Sequence, residues 1–401
     1  MADNNENKVL NVPHLRFPEF SGEWNKYTIN DLATVVGGGT PDTTVKSYWG
    51  GDIQWFTPSE IGKNKYVDFS KRTITRDGLD NSSAKLLPLH TILLSSRATV
   101  GECSIASNEC TTNQGFQSLI AKQCNIDFLY YLIQTKKKDL IRNACGSTFL
   151  EISANEIRKI KVAVPVQNEQ GQIAKLLSLI DERIATQNKI IEDLKKLKSA
   201  ISKYLFARKD LLETTICLSN IATLKNGYAF QSGKYNALGK WKILTITNVP
   251  GERYINDEDC NCIINLPNDI QDHQVLKEGD ILISLTGNVG RVSLCKNGNY
   301  LLNQRVGLLQ LAKNVNQEFL YQILSSQRFE NSMIACGQGA AQMNIGKGDV
   351  ENYVLPYSSN GNNILFAAKI LHSYDECIIN ELRRLTLLTM QKQYLLTQMF
   401  I

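Results

Sequence analysis

The chain contains two related halves, offset by about 190 residues. Short motifs recur in the same order, and each pair keeps nearly the same offset. The matched segments are Ile92-Leu93-Leu94-Ser95 with Ile281-Leu282-Ile283-Ser284, Asn113-Gln114 with Asn303-Gln304, Phe128-Leu129-Tyr130 with Phe319-Leu320-Tyr321, Ala144-Cys145-Gly146 with Ala335-Cys336-Gly337, and Val164-Pro165 with Leu355-Pro356. A period this long indicates a duplicated domain, because solenoid units are only about 20–50 residues long. The fold must therefore accommodate two similar domains that differ in detail.

Length and composition place the chain among globular proteins. Its 401 residues are enough for two domains of ordinary size, each with its own core. A hydrophobic content of 43% and a charged content of 21% exclude disordered and fibrous classes. The net charge of +5 permits a nucleic-acid partner but does not require one.

The sequence shows no targeting signal and no cofactor motif. It starts with polar and acidic residues, unlike a signal peptide, and no apolar run approaches the roughly 18–20 residues that span a bilayer. Ten cysteines without a Cys-x-x-Cys pair, and four separated histidines, predict reduced thiols and no metal site. We therefore expect a cytoplasmic protein with no membrane association and no cofactor.

Composition and turn signals divide the chain into five segments of an α+β fold. Short β-like runs at 53–56, 91–94 and 160–164, together with helical spacing from Phe128 to Ile141, indicate mixed structure in the first half. The predicted segments are an N-terminal arm (1–24), a first domain (25–165), a first long helix (166–209), a second domain (210–356) and a second long helix (357–401).

Each predicted long helix carries an apolar stripe with alternating steps of four and three, the seam of a coiled coil. The first seam contains Ile173, Leu177, Ile180, Ile184, Gln187, Ile191, Leu194, Lys198, Ile201 and Leu205. The second contains Ile364, Ala368, Leu371, Ile378, Leu382, Leu385, Leu395 and Met399, with Asp375, Thr389 and Lys392 as interruptions. Matched seams predict antiparallel helices that pack on each other and relate the two domains by an approximate two-fold axis. In the alternative arrangement, each stripe packs on its own domain.

Enzyme signatures are missing from both halves. The sequence has no Gly-x-x-x-x-Gly-Lys phosphate loop, no Asn-Pro-Pro-aromatic methyltransferase tetrad and no nuclease-type Asp/Glu-x-Lys triplet within about thirty residues after Pro41-Asp42. The run Gly337-Gln338-Gly339 follows a helical stretch and is more typical of a turn than of a dinucleotide site. The duplicated features therefore predict contact and not catalysis.

Candidate contact residues lie in loops beside the repeated strands. Arg97 and Arg291 follow matching strands, and amide or guanidinium groups at Asn113, Gln114, Asn303, Gln304 and Arg305 have the geometry to read base edges. A basic run of Lys63, Lys65, Arg72 and Arg76, interleaved with Tyr66 and Phe69, has the charge to contact phosphate. Simpler roles stay open for both groups: the Asn-Gln pairs would cap turns, and the basic run would form a solvated loop.

A set of short motifs accompanies the duplication and the two long helices. These motifs are Leu15-Arg16-Phe17-Pro18-Glu19-Phe20, Gly22-Glu23-Trp24, Gly39-Thr40-Pro41, Tyr48-Trp49, Ile53-Gln54-Trp55, Asn226-Gly227-Tyr228-Ala229-Phe230, the two Asn-Gln pairs, and Pro165 and Pro356 before the long helices. In their order and duplication they resemble the DNA specificity subunit of bacterial type I restriction-modification systems. The resemblance extends over essentially the whole chain.

The resemblance implies two target-recognition domains joined by two spacer helices. Each domain would read one half of an asymmetric, two-part sequence in double-stranded DNA, with half-sites about one turn, or about 34 Å, apart. The helices would dock two methyltransferase subunits, and restriction and translocation subunits would join through them. Adenine methylation with S-adenosylmethionine and ATP-driven cleavage would belong to those partners, leaving this chain without a catalytic site.

Two other functions compete with DNA reading. A coiled-coil assembly adaptor would bind only protein, and an enzyme with an unrecognised duplicated site would show turnover by the chain alone. Binding to sequence-specific duplex separates the first of these from a DNA-reading subunit.

Overall fold

The architecture is taken from a computed structural model that describes residues 11–146, 150–337 and 343–401. The chain forms two compact units: Met1–Asn188 together with Arg384–Ile401, and Lys189–Arg383. Each unit contains one of the two related halves, one segment of the first long helix and one segment of the second.

The first unit contains ten strands and five short helices among its described residues, followed by the start of a long helix. The strands are β1 (Asn25–Thr28), β2 (Ala33–Gly37), β3 (Trp49–Phe56), β4 (Tyr66–Val67), β5 (Arg72–Ile74), β6 (Ile92–Leu94), β7 (Cys103–Ala106), β8 (Cys110–Thr112), β9 (Gln117–Ala121) and β10 (Lys161–Val164). The helices are α1 (Ile29–Leu32), α2 (Arg76–Asp80), α3 (Ile126–Thr135), α4 (Lys137–Arg142), α5 (Ala154–Lys159) and the long α6 (Gln167–Ala207).

Three sheets build the first unit. A five-stranded sheet has the order β2-β9-β6-β7-β4, and a three-stranded sheet has the order β5-β3-β8. β1 pairs with β10, so that Asn25 lies opposite Val164 at the base of the domain. The β8 strand runs parallel to β3, and both strands end at the same edge of their sheet. That edge carries the candidate contact loops.

The second unit follows a similar plan, with two four-stranded sheets in place of the five-stranded and three-stranded sheets. Its strands are β11 (Thr214–Cys217), β12 (Ala222–Asn226), β13 (Trp241–Leu244), β14 (Asn261–Ile263), β15 (Val275–Leu276), β16 (Ile281–Ser284), β17 (Val292–Leu294), β18 (Tyr300–Leu302), β19 (Val306–Leu311) and β20 (Val354–Tyr357). Its helices are α7 (Gln317–Leu324), α8 (Gln327–Cys336), α9 (Lys347–Glu351) and the long α10 (Gly361–Gln398). The sheets have the orders β12-β19-β16-β17, β14-β13-β18-β15 and β11-β20, and β13 runs parallel to β18 as β3 does to β8.

Burial along α6 confirms the predicted seam. Every predicted seam position of α6 is buried or half-buried, and most positions between them are exposed. The eight apolar positions predicted for α10 are likewise buried or half-buried. The sequence pattern therefore identifies both helices and the face that each of them buries.

In each unit, the two helix segments run antiparallel. In the first unit, Ile173 and Met399 belong to one buried cluster, and Asp181 Oδ1 lies 2.7 Å from Lys392 Nζ. In the second unit, Leu205 and Ile364 share a cluster, and Lys198 Nζ lies 2.6 Å from Asp375 Oδ1. Both clusters also include side chains of the globular domain. In each unit, the helix segments therefore pack both on each other and on the globular domain. The two arrangements that the sequence offers as alternatives are present together.

One predicted helix is interrupted. The spacing from Phe128 to Ile141 predicts one helix, but the structure has α3 and α4 with a break at Lys136. The Thr135 hydroxyl donates to the Leu132 carbonyl at 2.7 Å, so a side chain competes with the backbone for that acceptor. The Gly337 turn prediction concerns a run whose residues 338–341 lie outside the described residues.

The described part of the N-terminal arm, residues 11–24, packs on the start of α6. Arg16 makes a bidentate contact to the buried Glu169 carboxylate, with Nε at 2.7 Å and Nη2 at 2.8 Å. The Trp24 indole N–H donates to the same carboxylate at 3.3 Å. The hydrogen bond to Glu169 raises the pKa of Arg16. These contacts account for the burial of an acidic residue in the first turn of a long helix.

Candidate nucleic-acid interface

In the first unit, the Asn113-Gln114 turn lies where three loops meet. The Asn113 N–H donates to the Phe56 carbonyl at 3.0 Å, which places the turn beside the end of β3. Gly39 donates to Thr112 at 2.8 Å, so the loop after β2 passes alongside. Ser96 donates to Gly115 at 2.8 Å, which brings in the turn that carries Arg97. We call this group of loops the first loop cluster (residues 38–44, 57–62, 95–99 and 113–116).

The second unit places its Asn-Gln turn in the same setting. The Asn303 N–H donates to Leu244 at 3.3 Å, and Tyr228 donates to Leu302 at 2.8 Å. Leu285 donates to the Arg305 carbonyl at 3.0 Å. These loops form the second loop cluster (residues 227–233, 245–249, 285–290 and 303–306). The duplication seen in the sequence therefore preserves one local backbone arrangement at two places.

The two asparagines hold their turns. Asn113 Oδ1 accepts from the Gly115 N–H at 2.9 Å, and Asn303 Oδ1 accepts from the Arg305 N–H at 3.2 Å. Bidentate adenine recognition needs both the oxygen and the nitrogen of the amide. One acceptor position of each amide oxygen is therefore occupied by its own turn, which favours turn capping over base reading for both asparagines. The following Gln114 and Gln304 are exposed, and Gln114 Oε1 accepts from the Thr40 hydroxyl.

A glycine stands against each of these turns. A Cβ added at Gly38 would lie 2.0 Å from the Asn113 carbonyl oxygen, and one at Gly227 would lie 2.1 Å from the Asn303 carbonyl oxygen. Real Cβ contacts are not this short, and the blocking atoms are backbone. The close approach of strand end and turn therefore requires glycine at both positions.

Replacing Gly38 with alanine is expected to lower the free energy of unfolding by about 3 kcal/mol, because the backbone must separate to admit the methyl group. Gly171 in α6 is the matched control, since a Cβ there meets nothing within 4 Å. Gly171→Ala is expected to be neutral or to add up to about 1 kcal/mol, because alanine favours the helix. Urea unfolding measures both changes. Equal midpoints for the two variants would contradict the close packing.

Arg97 and Arg291 are not equivalent, although both follow matching strands. Arg97 is exposed in the first loop cluster, with Nε 3.9 Å from Glu151 Oε2. The Ser284 N–H donates to the Arg291 carbonyl as Ser95 donates to Glu102, so Arg291 occupies the position of Glu102. Arg291 Nε lies 3.5 Å from Glu330 Oε1 at helix α8. The two arginines therefore lie in matching turns, as the sequence predicts, but at different positions within them.

The four residues of the predicted basic run lie in different environments in the structure. Lys63 is exposed, and Arg76 is exposed in α2, where its Nε lies 3.2 Å from Asp80. Lys65 is instead an interior residue with a 9% exposed side chain, and its Nζ lies 2.7 Å from Asp127 Oδ1 and 2.6 Å from Ser178 Oγ. Its charge is already paired inside the unit, so it is unsuited to the phosphate contact that the sequence suggests.

Arg72 has a different environment from the rest of the run. Its guanidinium carbon lies 3.6 Å from the ring centroid of Trp49 and 5.5 Å from that of Trp55. The Trp49 indole donates to the Asp42 carbonyl at 3.1 Å, and the Trp55 indole donates to the Gly39 carbonyl at 2.9 Å. Arg72 and the loop at 38–44 therefore share one aromatic support.

Lys65 belongs to a polar network that joins the first domain to both helices. In addition to Lys65, it includes Asp127, Tyr131 and Asp181, and the Tyr131 hydroxyl donates to Asp181 Oδ2 at 2.7 Å. Lys392 completes the network from α10 through its contact with Asp181. We call this set of five residues the first helix network.

The second unit contains a corresponding set, the second helix network, formed by Arg253, Glu318, Gln322, Asp375 and Lys198. Arg253 Nη1 lies 2.9 Å from Asp375 Oδ2, and Arg253 Nη2 lies 2.6 Å from Glu318 Oε2. Gln322 Nε2 donates to Asp375 at 2.6 Å, as Tyr131 does to Asp181. Burial acts to lower the pKa of Arg253, but hydrogen bonding to Glu318 and the nearby carboxylates raise it overall. Both networks were missed from the sequence.

A sequence signal for the networks does exist. The same number of residues separates Asp181 from Asp375 and Lys198 from Lys392. Three of these four residues appear in the sequence only as interruptions of the apolar seams. Their common spacing identifies them as duplicated partners, with lysine of one helix facing aspartate of the other in each unit.

The described residues contain no group of three or more His, Cys, Asp or Glu side chains placed to hold a metal ion. All ten cysteines lie within the described ranges and are free thiols, and burial raises the pKa of Cys103 to about 12. Across residues 11–146, 150–337 and 343–401, no helix has the length and apolar character needed to cross a membrane.

The molecule thus belongs to the class of tandem α+β proteins in which two related domains are each followed by a long helix. The family model of the type I restriction modification DNA specificity domain matches residues 21–196 and 213–389. Because the two matches cover most of the chain, it belongs to that family.

Curated relatives and solved structures agree with this assignment. The chain is 38% identical over 192 residues to the MjaIX specificity subunit of Methanocaldococcus jannaschii, a match covering 46% of this chain and 44% of that one. It is 28% identical over 230 residues to the MjaVIII specificity subunit of the same organism, covering 51% and 53%. The matched segments therefore span about half the length of these relatives.

The fold itself extends over nearly the whole chain. The S subunit of the Mycoplasma genitalium type I restriction-modification system superposes with a TM-score of 0.58 at 18% identity, covering 97% of this chain and 99% of that one. A chain from a study of complex assembly and conformational transition of the type I system also gives 0.58, at 14% identity, covering 96% and 98%. At these identities the likeness concerns the fold alone.

Proposed function

We propose that this chain is the sequence-reading subunit of a type I restriction-modification complex. Its two domains, residues 25–165 and 210–356, each read one half of an asymmetric two-part site in double-stranded DNA. The observation that carries the proposal is the duplicated loop cluster, in which one backbone arrangement presents unlike side chains. Equal clusters would read equal half-sites, whereas unlike clusters read an asymmetric site.

The surfaces of the two clusters differ in chemistry. In the first cluster, the loop after β2 rests on Trp49 and Trp55. In the second, Tyr228 and Phe230 pack with ring centroids 4.8 Å apart, and the Tyr228 hydroxyl donates to Asp269 at 2.8 Å. The Arg72 guanidinium stacked on Trp49 and the Tyr228 hydroxyl bonded to Asp269 favour different base edges. We therefore assign a different half-site to each domain.

The proposed DNA contacts divide by chemistry. Exposed lysine and arginine side chains neutralise phosphate, and exposed amides on the loop clusters read base edges. The proposed phosphate contacts are Lys63, Arg76, Arg97 and Arg305; the proposed base contacts are Gln114 and Gln304; Asn113 and Asn303 hold the turns that present them. Arg291 is paired with Glu330, so it is less available to contact a phosphate.

The helices supply a surface for protein partners. In the first unit, Leu179 is 49% exposed and Leu387 is 64% exposed, and both line a groove of about 660 Å³. Apolar side chains exposed on a helix pair indicate a docking face. We propose that two methyltransferase subunits dock on the helices and that restriction and translocation subunits join through them. Methylation and cleavage then belong to the partners, and the complex works on cytoplasmic DNA without contact to a membrane.

Selection from random DNA tests the proposal. The full chain, bound to its methyltransferase subunits, is mixed with duplexes whose central segment is random, and the bound duplexes are sequenced. The expected motif has two unlike blocks separated by a fixed gap, bound about 10³-fold or more tightly than unselected DNA. Gln114→Ala should weaken the preference in one block only, and Gln304→Ala in the other block only.

The outcome also decides between the competing functions. Binding of the methyltransferase subunits without enrichment of any DNA motif would favour the adaptor that binds only protein. A motif with two identical blocks would contradict the assignment of unlike half-sites to the two domains.

A further inference from the structure

Arg72 is exposed and charged, and its guanidinium is held in one position by Trp49. Phosphate binding does not require such a fixed position. We propose that Arg72 reads a guanine in the half-site of the first domain, in place of the phosphate contact that the sequence suggests. This inference rests on the proposed function and assigns one base pair of its target.

The guanidinium of Arg72 is held in position by stacking. Its carbon lies 3.6 Å from the centroid of Trp49, and the Trp49 and Trp55 rings meet edge to face with centroids 5.0 Å apart. Trp55 is 4% exposed, so the pair is anchored in the domain. Both indole N–H groups are hydrogen bonded to the backbone of the loop at 38–44. Arg72 therefore lies on a fixed aromatic surface.

Stacking leaves the donors of Arg72 available. Three other candidate arginines each approach a carboxylate: Arg76 lies 3.2 Å from Asp80, Arg97 lies 3.9 Å from Glu151, and Arg291 lies 3.5 Å from Glu330. Within the described residues, no carboxylate is placed within 4.0 Å of the Arg72 nitrogens. Its planar fork therefore remains free for an outside acceptor. Guanine offers two acceptors, O6 and N7, on its major-groove edge with matching geometry.

Immobility favours a base over a phosphate as the partner. A phosphate accepts contacts from many directions, so a flexible lysine such as the exposed Lys63 serves it well. A base edge accepts a bidentate donor only in its own plane, so a fixed fork loses less conformational freedom on binding. The stacked Arg72 guanidinium meets this geometric requirement of a base edge.

Arg72 is connected to another proposed reader through the loop at 38–44. Thr40, on the loop supported by the two tryptophans, donates to the amide oxygen of Gln114. Arg72 and Gln114 thus share one structural support. Among its described residues, the second domain has no arginine over a tryptophan: its Trp241 is approached by Lys240, at 5.8 Å from the ring centroid. Its Arg253 lies over Tyr254, but that guanidinium is paired with Glu318 and Asp375. The proposed guanine contact therefore belongs to one half-site only.

The test repeats the random-duplex selection with Arg72→Lys in the full chain bound to its methyltransferase subunits. Lysine keeps the positive charge but loses the bidentate fork. The expected result is loss of preference at one G·C pair of one block, by roughly 10- to 100-fold, with the other block unchanged. Trp49→Leu should weaken the preference at the same base pair, because the fork loses its support. Arg142→Lys, at an exposed position of α4, is the matched control and should leave the motif unchanged.

The outcomes separate this inference from the proposed function. If Arg72→Lys enriches the wild-type motif at every position, the inference is overturned while the proposed function stands. A uniform loss of affinity across all duplexes in Arg72→Lys, with the motif kept, identifies a phosphate contact and also overturns it. If the wild-type complex enriches no motif, both the proposed function and the inference fail.

Discussion

Replacing Asp375 with alanine should lower the free energy of unfolding of the second unit by about 3–5 kcal/mol. The Asp375 carboxylate contacts Lys198 at 2.6 Å, Arg253 at 2.9 Å and Gln322 at 2.6 Å. The side chains of Asp375 and Arg253 are each only 8% exposed. Removing the carboxylate leaves Lys198, whose side chain is 19% exposed, without its anion, and leaves Arg253 paired with Glu318 alone. An uncompensated, mostly buried cation costs more than the ion pair itself contributes.

Two comparisons make the Asp375→Ala result specific. Glu192→Ala removes an exposed ion pair with Lys196, both side chains being more than 60% exposed, and should leave the unfolding midpoint essentially unchanged. Adding Lys198→Met to Asp375→Ala should recover part of the loss, because one unpaired cation is removed. Urea unfolding, with hydrogen exchange on peptides of each unit, measures the changes. A loss below about 1 kcal/mol, or one confined to the first unit, would contradict the role of the second helix network.

The long helices were predictable because their signal is local and repetitive. The seam from Ile173 to Leu205 repeats over the whole helix, so that single interruptions such as Gln187 do not hide it. The domain strands were found where apolar runs are bounded by turn residues, as at β6 and β10. The helix break at Lys136 was missed because a threonine side chain, and not a proline or glycine, interrupts the backbone pattern.

The candidate site was only partly predictable, because its chemistry depends on partners far apart in sequence. Lys65 and Arg72 lie in one basic run, yet one is paired with Asp127 and the other is stacked on Trp49. Nothing in their spacing distinguishes these environments. The two Asn-Gln turns were located correctly by duplication, but which side chain faces outward depends on a hydrogen bond to the backbone.

Comparison of the two halves of the sequence identifies residues of the helix networks that the separate apolar seams do not reveal. When each seam is considered separately, Lys198, Asp375 and Lys392 are polar interruptions of an apolar stripe. Both Asp181/Asp375 and Lys198/Lys392 share an offset of 194 residues, slightly more than the offset between the motifs, and at this offset they become equivalent members of two ion pairs. Polar residues in a coiled-coil seam fix register at some cost in stability. The networks therefore specify how each domain meets its pair of helix segments.

Exchanging residues 25–165 for the same region of a relative should change one half of the recognised DNA sequence and leave the other half intact. The exchange is structurally conservative, because β1 pairs with β10 and brings Asn25 opposite Val164, so that the two junctions lie together. Specific sites are typically bound about 10³-fold or more above non-specific DNA, so the original half-site should lose recognition almost completely. Exchanging residues 210–356, where Thr214 lies opposite Tyr357, is the reciprocal experiment.

The most direct measurement is a map of methylated adenines in cells that express the methyltransferase subunits with the wild-type or the exchanged chain. The wild-type map should show one asymmetric motif of two unlike blocks with a constant gap. Each exchange should replace a different block and keep the other block together with the gap. A motif in which both blocks change, or neither changes, after a single exchange would contradict the claim that each domain reads its own half-site.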